Sequence, residues 1–491
     1  MFCWSQSFLL WNLVFSMTMD RHRACLDCGF EGDLVMLVMK FGGTSVGSAE
    51  RMQGVVELAR EVHRKGSKPV IVLSAMSGMT NALIDGAKRA VARDLKGALQ
   101  IAATINDNHI QAIESLFAKS DLAMSLLQEV QQQMQELEIL YKGVSYLGEL
   151  TKRSLDAVSG MGELLSSKIF AAYARSQSLP VEWLDARQFL ITDANFGKAN
   201  PLWKKLTPRA REVLLPVLDQ GKIAVTQGFI GVTTDGASTT LGRGGSDFSA
   251  SIIGVALEAD EIQIWTDVDG MMTADPRVVR DAFVLPEVSF QEASELAYFG
   301  AKVLHPLTIA PAVEKSIPVR ILNTMAPTKP GTIIKEAVKA TGPICAIASK
   351  KGIFSVTITT PRMLMVHGFL TRVFEVFDRH QTSIDLIATS EITVSITTDR
   401  ADTLEAIAQD LSEFGEVKVE KEIAIVTVVG RQFRETTGLA GRVFEALKNI
   451  NILMISGGAS DINLSFVVRA ADADQAVRQL HAAFFASVGV K

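Results

Sequence analysis

Leu34-Val35-Met36-Leu37-Val38-Met39-Lys40-Phe41-Gly42-Gly43-Thr44-Ser45-Val46 runs from an unbroken apolar stretch into a lysine and a pair of glycines. The stretch through Met39 reads as a parallel strand buried on both faces, because a strand with one wet face would alternate. Gly42 and Gly43 let the backbone turn sharply and bring its N–H groups close to an anion. Lys40 adds a mobile point charge suited to a phosphoryl group. The pattern is not a P-loop, since no Gly-x-x-x-x-Gly-Lys-Ser/Thr occurs. A strand ending in Lys-x-Gly-Gly also serves as a plain turn, so its meaning depends on what surrounds it.

The chain is that of an ordinary globular protein, 491 residues long, 48% hydrophobic and 21% charged, with room for several cores. A net charge of -5 and a pI near 5.9 leave no electrostatic footprint for nucleic acid or an anionic membrane. A small-molecule partner is expected instead. Cys3, Cys25, Cys28 and Cys345 are too few and too scattered for a disulfide framework, which fits a reducing cytoplasm. No metal site is expected, because Cys25-x-x-Cys28 has no second ligand pair at finger spacing. Residues 1–33 carry an apolar run, Phe8 to Phe15, without a basic region before it or a cleavage site after it. They read as a disordered extension or a mis-assigned start, with Met36 or Met39 as candidate true starts. No apolar run reaches the roughly 18 residues of a membrane span.

From residue 34 to about 330, strand-like runs alternate with helical stretches, the pattern of a layered α/β domain. Strands are expected at 34–39, 68–74, 181–184, 222–226, 262–266 and 317–322, and several helices between 82 and 175, a proline-free region rich in Ala, Leu, Gln and Glu. Turn formers cluster at Ala326-Pro327-Thr328-Lys329-Pro330-Gly331, which marks a boundary. Beyond it the chain repeats. Gly368-Phe369-Leu370-Thr371-Arg372-Val373-Phe374-Glu375 matches Gly438-Leu439-Ala440-Gly441-Arg442-Val443-Phe444-Glu445 seventy residues on, and the same register carries Thr357 onto Thr427 and Ser395 onto Ser465. Each copy reads strand, helix, strand, strand, a small α+β module. Phe369, Leu370, Val373, Phe374 and Phe377 fall at helical spacing, so most of these aromatics are core.

Three further segments carry chemistry. Thr239-Thr240-Leu241-Gly242-Arg243-Gly244-Gly245-Ser246-Asp247 combines exposed backbone N–H groups, a two-pronged arginine for a carboxylate, and a helix cap in Ser246-Asp247. Trp265-Thr266-Asp267-Val268-Asp269-Gly270-Met271-Met272-Thr273-Ala274-Asp275-Pro276-Arg277 leaves a buried strand for a polar turn whose Asp267 and Asp275 could meet ribose or metal. Phe299-Gly300-Ala301-Lys302-Val303-Leu304-His305-Pro306 sets another lysine near a helix end.

Together with Ser74-Ala75-Met76-Ser77-Gly78-Met79-Thr80-Asn81, Gly162-Glu163 and Gln227-Gly228-Phe229, these segments resemble the aspartate kinases of the amino-acid-kinase family, from about Val35 to the C-terminus. The resemblance implies a three-layer αβα sandwich over 34–330, followed by two ferredoxin-like ACT modules at 344–422, with a shared strand, and 423–491. It implies ATP and Mg²⁺ as cofactors and L-aspartate as substrate, phosphorylated on its side-chain carboxylate in the first step toward lysine, threonine and methionine. Lys40, Asp247 and Lys302 would be catalytic. Glu163 would take the α-ammonium and Arg243 the α-carboxylate, with Thr80, Phe229 and Ser246 completing the pocket. Gly42, Gly43, Thr266, Asp267, Met272 and Arg277 would join Lys40 and Lys302 around ATP, although Met272 stands where relatives commonly carry a tyrosine.

The ACT resemblance implies feedback by lysine, threonine or both, and a homodimer or homotetramer built through these modules. Met363, Val366, Gly368, Phe369, Leu370, Asp385, Thr389, Ser390 and Glu391 align with the effector-binding part of lysine-sensitive relatives, Val366 replacing a small polar residue found in some. The alternatives are a catalytically inactive amino-acid sensor and another amino-acid-family kinase.

Overall fold

The computed structural model describes residues 35–117, 120–300, 304, 306–338, 342–363, 367–458 and 460–486. An eight-stranded sheet has the order Val181–Trp183, Ile223–Gln227, Lys68–Leu73, Met36–Phe41, Glu261–Thr266, Val319–Asn323, Thr332–Lys335, Glu287–Ser289. Its neighbours run parallel except for the pair Val319–Asn323 and Thr332–Lys335, which the turn at 326–331 joins. Every strand expected in this region overlaps an observed one, with ends displaced by at most two residues.

The shift matters at the first strand. Met36–Phe41 contains Lys40, in register with Val72 on one side and Ile264 on the other. Neighbouring strands on both sides extend the ladder past the last residue that composition alone would include. Side chains alternate across a strand, so Lys40 shares the face of Val38. Val38 packs with Val70, Val72, Ile262 and Ile264 against the helices Trp203–Asp219, Gly245–Leu257 and Pro306–Glu314. The opposite face is covered by Ala49–Arg64 and Met161–Ser176. Three layers result, and parity turns Lys40 toward the helix that carries Asp247.

Between these helices lie Met79–Val91, Leu95–Leu116, Asp121–Leu147 and Lys152–Ser159. Three of the starts are fixed by side-chain caps, with Asp94, Ser120 and Thr151 accepting from the backbone N–H of Gly97, Ala123 and Ser154. A three-stranded sheet, Ile191–Thr192, Ile230–Thr233 and Ser238–Thr240, leads into the second glycine segment.

The C-terminal region is a six-stranded sheet in the order Ile387–Thr389, Thr393–Thr398, Ile344–Thr359, Glu416–Gly430, Asn463–Arg469, Ile452–Gly457. Its two central strands, of 16 and 15 residues, run antiparallel along their length and serve both copies of the repeat. The seventy-residue register is physical. Thr357 pairs with Ser395 and their hydroxyls meet at 3.0 Å, while Thr427 pairs with Ser465 at 2.9 Å. Gly368 and Gly438 both cap helices in the left-handed region, with φ 81° and 78°. Each copy adds a second helix, Leu404–Leu411 or Ala473–Phe485, to the expected pattern. Phe369, Val373 and Phe377 fill the first copy's core, whereas Leu370 and Phe374 face outward.

The two sheets are joined closely. On the helix Phe290–Phe299, residues at every third position engage the second sheet. Glu292 takes a bidentate contact from Arg431 at 2.7 and 2.9 Å, Glu295 accepts from Asn463 at 2.7 Å, and Tyr298 donates to Asp385 at 2.7 Å. In addition, Ala274 and Val279, just beyond the strand Glu261–Thr266, are buried in the core of the second copy with Val426, Leu439 and Val468.

Candidate active site

The strands Met36–Phe41, Lys68–Leu73, Ile223–Gln227 and Glu261–Thr266 bring their C-terminal ends to one edge of the sheet, the usual ligand edge of an open α/β fold. A cavity of about 600 Å³ opens there, lined by Lys40, Gly43, Thr80, Glu163, Phe229, Arg243, Ser246 and Asp247. A second groove, about 640 Å³, lies between Ala49–Arg64 and the turn at Thr324 and Pro327. Its charges include Glu61 and Lys65, which pair with each other in the open, so it lacks convergent chemistry.

Lys40 Nζ lies 2.6 Å from Asp247 Oδ1, with side chains only 11% and 12% exposed. Asp247 sits in the first turn of Gly245–Leu257, whose N-cap is Gly244 in the left-handed region, with no side-chain cap. The first amide groups of a helix have no intrahelical carbonyl to bind, and the helix dipole favours negative charge there. Lysine and helix end therefore form an anion-binding wall. Gly43 belongs to it for a steric reason: a Cβ there would come within 2.8 Å of the Ala75 carbonyl oxygen. Ser77 Oγ donates to the Gly43 carbonyl at 3.0 Å and ties the two loops.

Glu163 lines the same cavity. It enters on the first turn of Met161–Ser176 and is only 3% exposed. Burial pushes its carboxyl up to about 8 against the partial compensation of the Ala75 and Glu163 backbone N–H groups. Its Oε2 is buried without a hydrogen-bond partner among the described residues. Such a group is matched to an incoming cation. Arg243 is exposed on the same cavity, and no carboxylate among the described residues pairs with it. Phe229 holds φ 70°, strained for a bulky residue, where its N–H donates to Ser249 Oγ at 2.9 Å.

Of the remaining expected positions, Gly42, Thr266 and Asp267 lie along the sheet edge beside Lys40. Gly42 donates its N–H to Trp265 O at 3.2 Å, and Thr266 Oγ1 meets Asp267 Oδ1 at 3.2 Å. Met272 forms an isolated bridge with Val284. Arg277 is 86% exposed and pairs with Asp275 at 2.7 Å, away from the cavity lining. Lys302 lies outside the described residues. In the first copy of the C-terminal repeat, Met363 ends a short 3-10 turn, Thr389 ends an edge strand, the Ser390 N–H binds Thr393 O at 2.8 Å, and Glu391 is exposed. Asp385, its side chain 2% exposed, receives Lys350 at 2.7 Å as well as Tyr298. Val366 lies outside the described residues.

Sequence reasoning passed over Asp156, which is 2% exposed and lines the same cavity. An aspartate inside a helical stretch looks like a solvated side chain. No local signal marks it, because Glu163 lies on the next helix, beyond Gly160, and the partners of Asp156 are distant in sequence.

A lysine, a helix N-terminus and a buried carboxylate lining one cavity at the ligand edge of an α/β sheet are the equipment of an amino-acid kinase, and the comparisons with known proteins agree. The model of the amino acid kinase family matches residues 35–323, and that of the ACT domain matches 426–484. Aspartokinase 1, chloroplastic, of Arabidopsis thaliana is 37% identical over 92% of this chain and 81% of its own length. Lysine-sensitive aspartokinase 3 of Escherichia coli is 36% identical over 92% and 99%. The crystal structure of E. coli aspartokinase III in complex with aspartate and ADP matches with a TM-score of 0.78 and 34% identity, over 91% of this chain and 99% of that one. The chain belongs to the aspartokinase family.

Proposed function

We propose that this protein transfers the γ-phosphoryl group of ATP to the side-chain carboxylate of L-aspartate, forming 4-phospho-L-aspartate for amino-acid biosynthesis. The observation that carries the reading is one cavity lined both by the paired Lys40 and Asp247 and by the under-partnered Glu163 with Arg243. Glu163 receives the α-ammonium and Arg243 the α-carboxylate, so the side chain extends toward Lys40. Thr80, Phe229 and Ser246 shape the space between. The aspartate side-chain oxygen bonds to the γ-phosphorus as the bond to the bridging β–γ oxygen breaks, and ADP leaves with that electron pair. The nucleophile is already ionised, so no general base is needed. Lys40, the glycines at 42 and 43 and the start of Gly245–Leu257 neutralise charge on the transferring group. Thr266, Asp267, Met272, Arg277 and Lys302 are assigned to the nucleotide side.

Among the described residues no group of three or more His, Cys, Asp or Glu side chains could hold a metal ion. Magnesium is accordingly assigned to the nucleotide, where it would screen the phosphate charge, with Asp247 as the carboxylate nearest the phosphate wall. Feedback is assigned to lysine, on the strength of the lysine-sensitive E. coli relative, at a first-copy site built around Met363, Val366, Gly368, Phe369, Leu370, Asp385, Thr389, Ser390 and Glu391. The outward Leu370 and Phe374 support assembly through the ACT modules as a dimer or tetramer. Among the described residues no helix is long and apolar enough to cross a membrane, and the sparse cysteines support a cytoplasmic setting.

Hydroxylamine trapping tests the reading. ATP- and aspartate-dependent hydroxamate is the expected result. Its absence from folded protein would leave an inactive amino-acid sensor or a kinase of another amino acid in place of the aspartate kinase.

A further inference from the structure

Asp156 is a buried carboxylate with no cationic partner among the described residues, yet three donors satisfy it. Its Oδ2 accepts from the Gly197 N–H at 2.9 Å and the Thr240 N–H at 2.8 Å, and its Oδ1 accepts from Thr240 Oγ1 at 2.8 Å. A buried ion is costly unless such bonds compensate it. Those bonds join three separate segments of chain.

Each segment leads to Glu163 or to the turn that carries Arg243. Asp156 lies on Lys152–Ser159, which Gly160 connects directly to Met161–Ser176 and its Glu163. Thr240 ends the strand Ser238–Thr240 and stands three residues before Arg243. Gly197 supports the same turn from behind: a Cβ on Gly242, whose φ is 79°, would come within 3.0 Å of the Gly197 carbonyl oxygen. By contrast, the phosphate wall has its own anchors, in the Lys40–Asp247 pair and in Ser249, whose Oγ receives the Phe229 N–H.

We infer that Asp156 is a positioning residue that sets the span between Glu163 and Arg243, and so the fit of the cavity to the two charged groups of an α-amino acid. It acts through Thr240 and Gly197, whose donors occupy both of its carboxylate oxygens. The inference rests on the assignment of Glu163 and Arg243 to the ammonium and carboxylate of aspartate.

The test measures KM for aspartate, KM for ATP and kcat in full-length Asp156→Ala, Asp156→Asn and Thr240→Val. Asp156→Ala is expected to raise the aspartate KM about tenfold or more, with the ATP KM and kcat within about threefold. Asparagine can accept both N–H groups on its oxygen and donate its amide to Thr240 Oγ1. Asp156→Asn should therefore keep an aspartate KM within about threefold of the parent. Thr240→Val removes one of the three bonds and should raise the aspartate KM severalfold, and it carries the test alone if Asp156→Ala does not fold. An unchanged aspartate KM in Asp156→Ala or Thr240→Val overturns the inference, as does equal damage to both substrates. Asp156→Asn as impaired as Asp156→Ala also overturns it, because charge and not geometry would then be the role. Unmodified protein that forms no aspartyl hydroxamate would sink the assigned activity, a result distinct from any of these.

Discussion

Tyr298, on the last turn of a helix from the catalytic region, donates its hydroxyl proton to Asp385 of the first ACT copy at 2.7 Å. Lys350 completes the knot, 2.7 Å from the same carboxylate and 4.9 Å from the centre of the tyrosine ring. Burial and the neighbouring Asp385 both push the Tyr298 hydroxyl well above its ordinary value, so it stays a donor at any working pH. A ligand ammonium that reaches Asp385 must compete with Lys350 and disturb the tyrosine bond. Tyr298→Phe is expected to leave uninhibited turnover within about twofold while shifting the lysine concentration for half inhibition by about threefold or more, the ordinary scale of a coupling energy. Activity measured across a lysine titration checks it, and an unchanged midpoint excludes Tyr298 from the coupling.

Lys40→Ala should lower turnover at least about a hundredfold, the scale of losing one preorganised charge-stabilising group. Lys40→Arg should not restore it, because the space beside Asp247 is filled by a point charge and not a planar fork. Steady-state hydroxamate formation at saturating aspartate and ATP gives the comparison, and near-normal turnover in Lys40→Ala would remove the lysine from the mechanism.

Arg243→Ala should act chiefly on the aspartate requirement, since it removes a two-pronged carboxylate contact. Its aspartate KM is expected to rise more than its ATP KM. Equal rises would mean that the arginine does not read the amino acid.

Glu163 gives the site a pH signature. Its carboxyl lies near 8 in the folded protein against an ordinary 4.5, so across that interval the folded chain holds a proton that the unfolded chain has released. The stability this proton contributes is complete below about pH 4.5 and is lost as pH rises through about 8. Binding an ammonium requires the ionised form, so aspartate binding near pH 7 should expel up to about one proton and strengthen as pH rises toward 8. Calorimetry in buffers of different ionisation enthalpy reads the proton count. Glu163→Gln should abolish the release and flatten the fall in melting temperature over the same interval.

Arg431 is the counter-charge of Glu292, whose side chain is wholly buried. Arg431→Ala would leave that carboxylate without a counter-charge, held by the Ser289 N–H at 2.7 Å, at a cost of about 3–5 kcal/mol. Denaturant melts of the intact protein provide the measure, and a change below about 1 kcal/mol would show that the pair is not needed there.

The central strands were legible because parallel strands buried on both faces leave continuous Val/Ile/Leu runs, such as Val70-Ile71-Val72-Leu73. The ACT repeat was legible in single residues, since Thr357 and Ser395 recur as Thr427 and Ser465, and those are the pairs that meet across strands. A shared strand was expected only from the family resemblance; the full lengths of Ile344–Thr359 and Glu416–Gly430 were not legible, because their pairing spans some seventy residues and nothing local marks where one module's half ends. Lys40 and Glu163 were found through motifs, but the desolvation of Glu163 depends on neighbours that only the fold assembles. Asp156 escaped because a helical aspartate bonded to distant backbone looks, in sequence, like one facing water.

The burial of Ala274 and Val279 in the second ACT core has a consequence for anyone who would exchange regulatory halves between relatives. A chimera joined at the turn-rich boundary near 330 would keep the parent's 274–279 stretch while replacing the pocket that receives it. The natural unit of exchange is therefore discontinuous: the C-terminal modules together with the short stretch that follows the strand Glu261–Thr266. Grafts that carry both should fold with their new sensor seated. Grafts that carry only the modules would present a foreign plug to a mismatched socket.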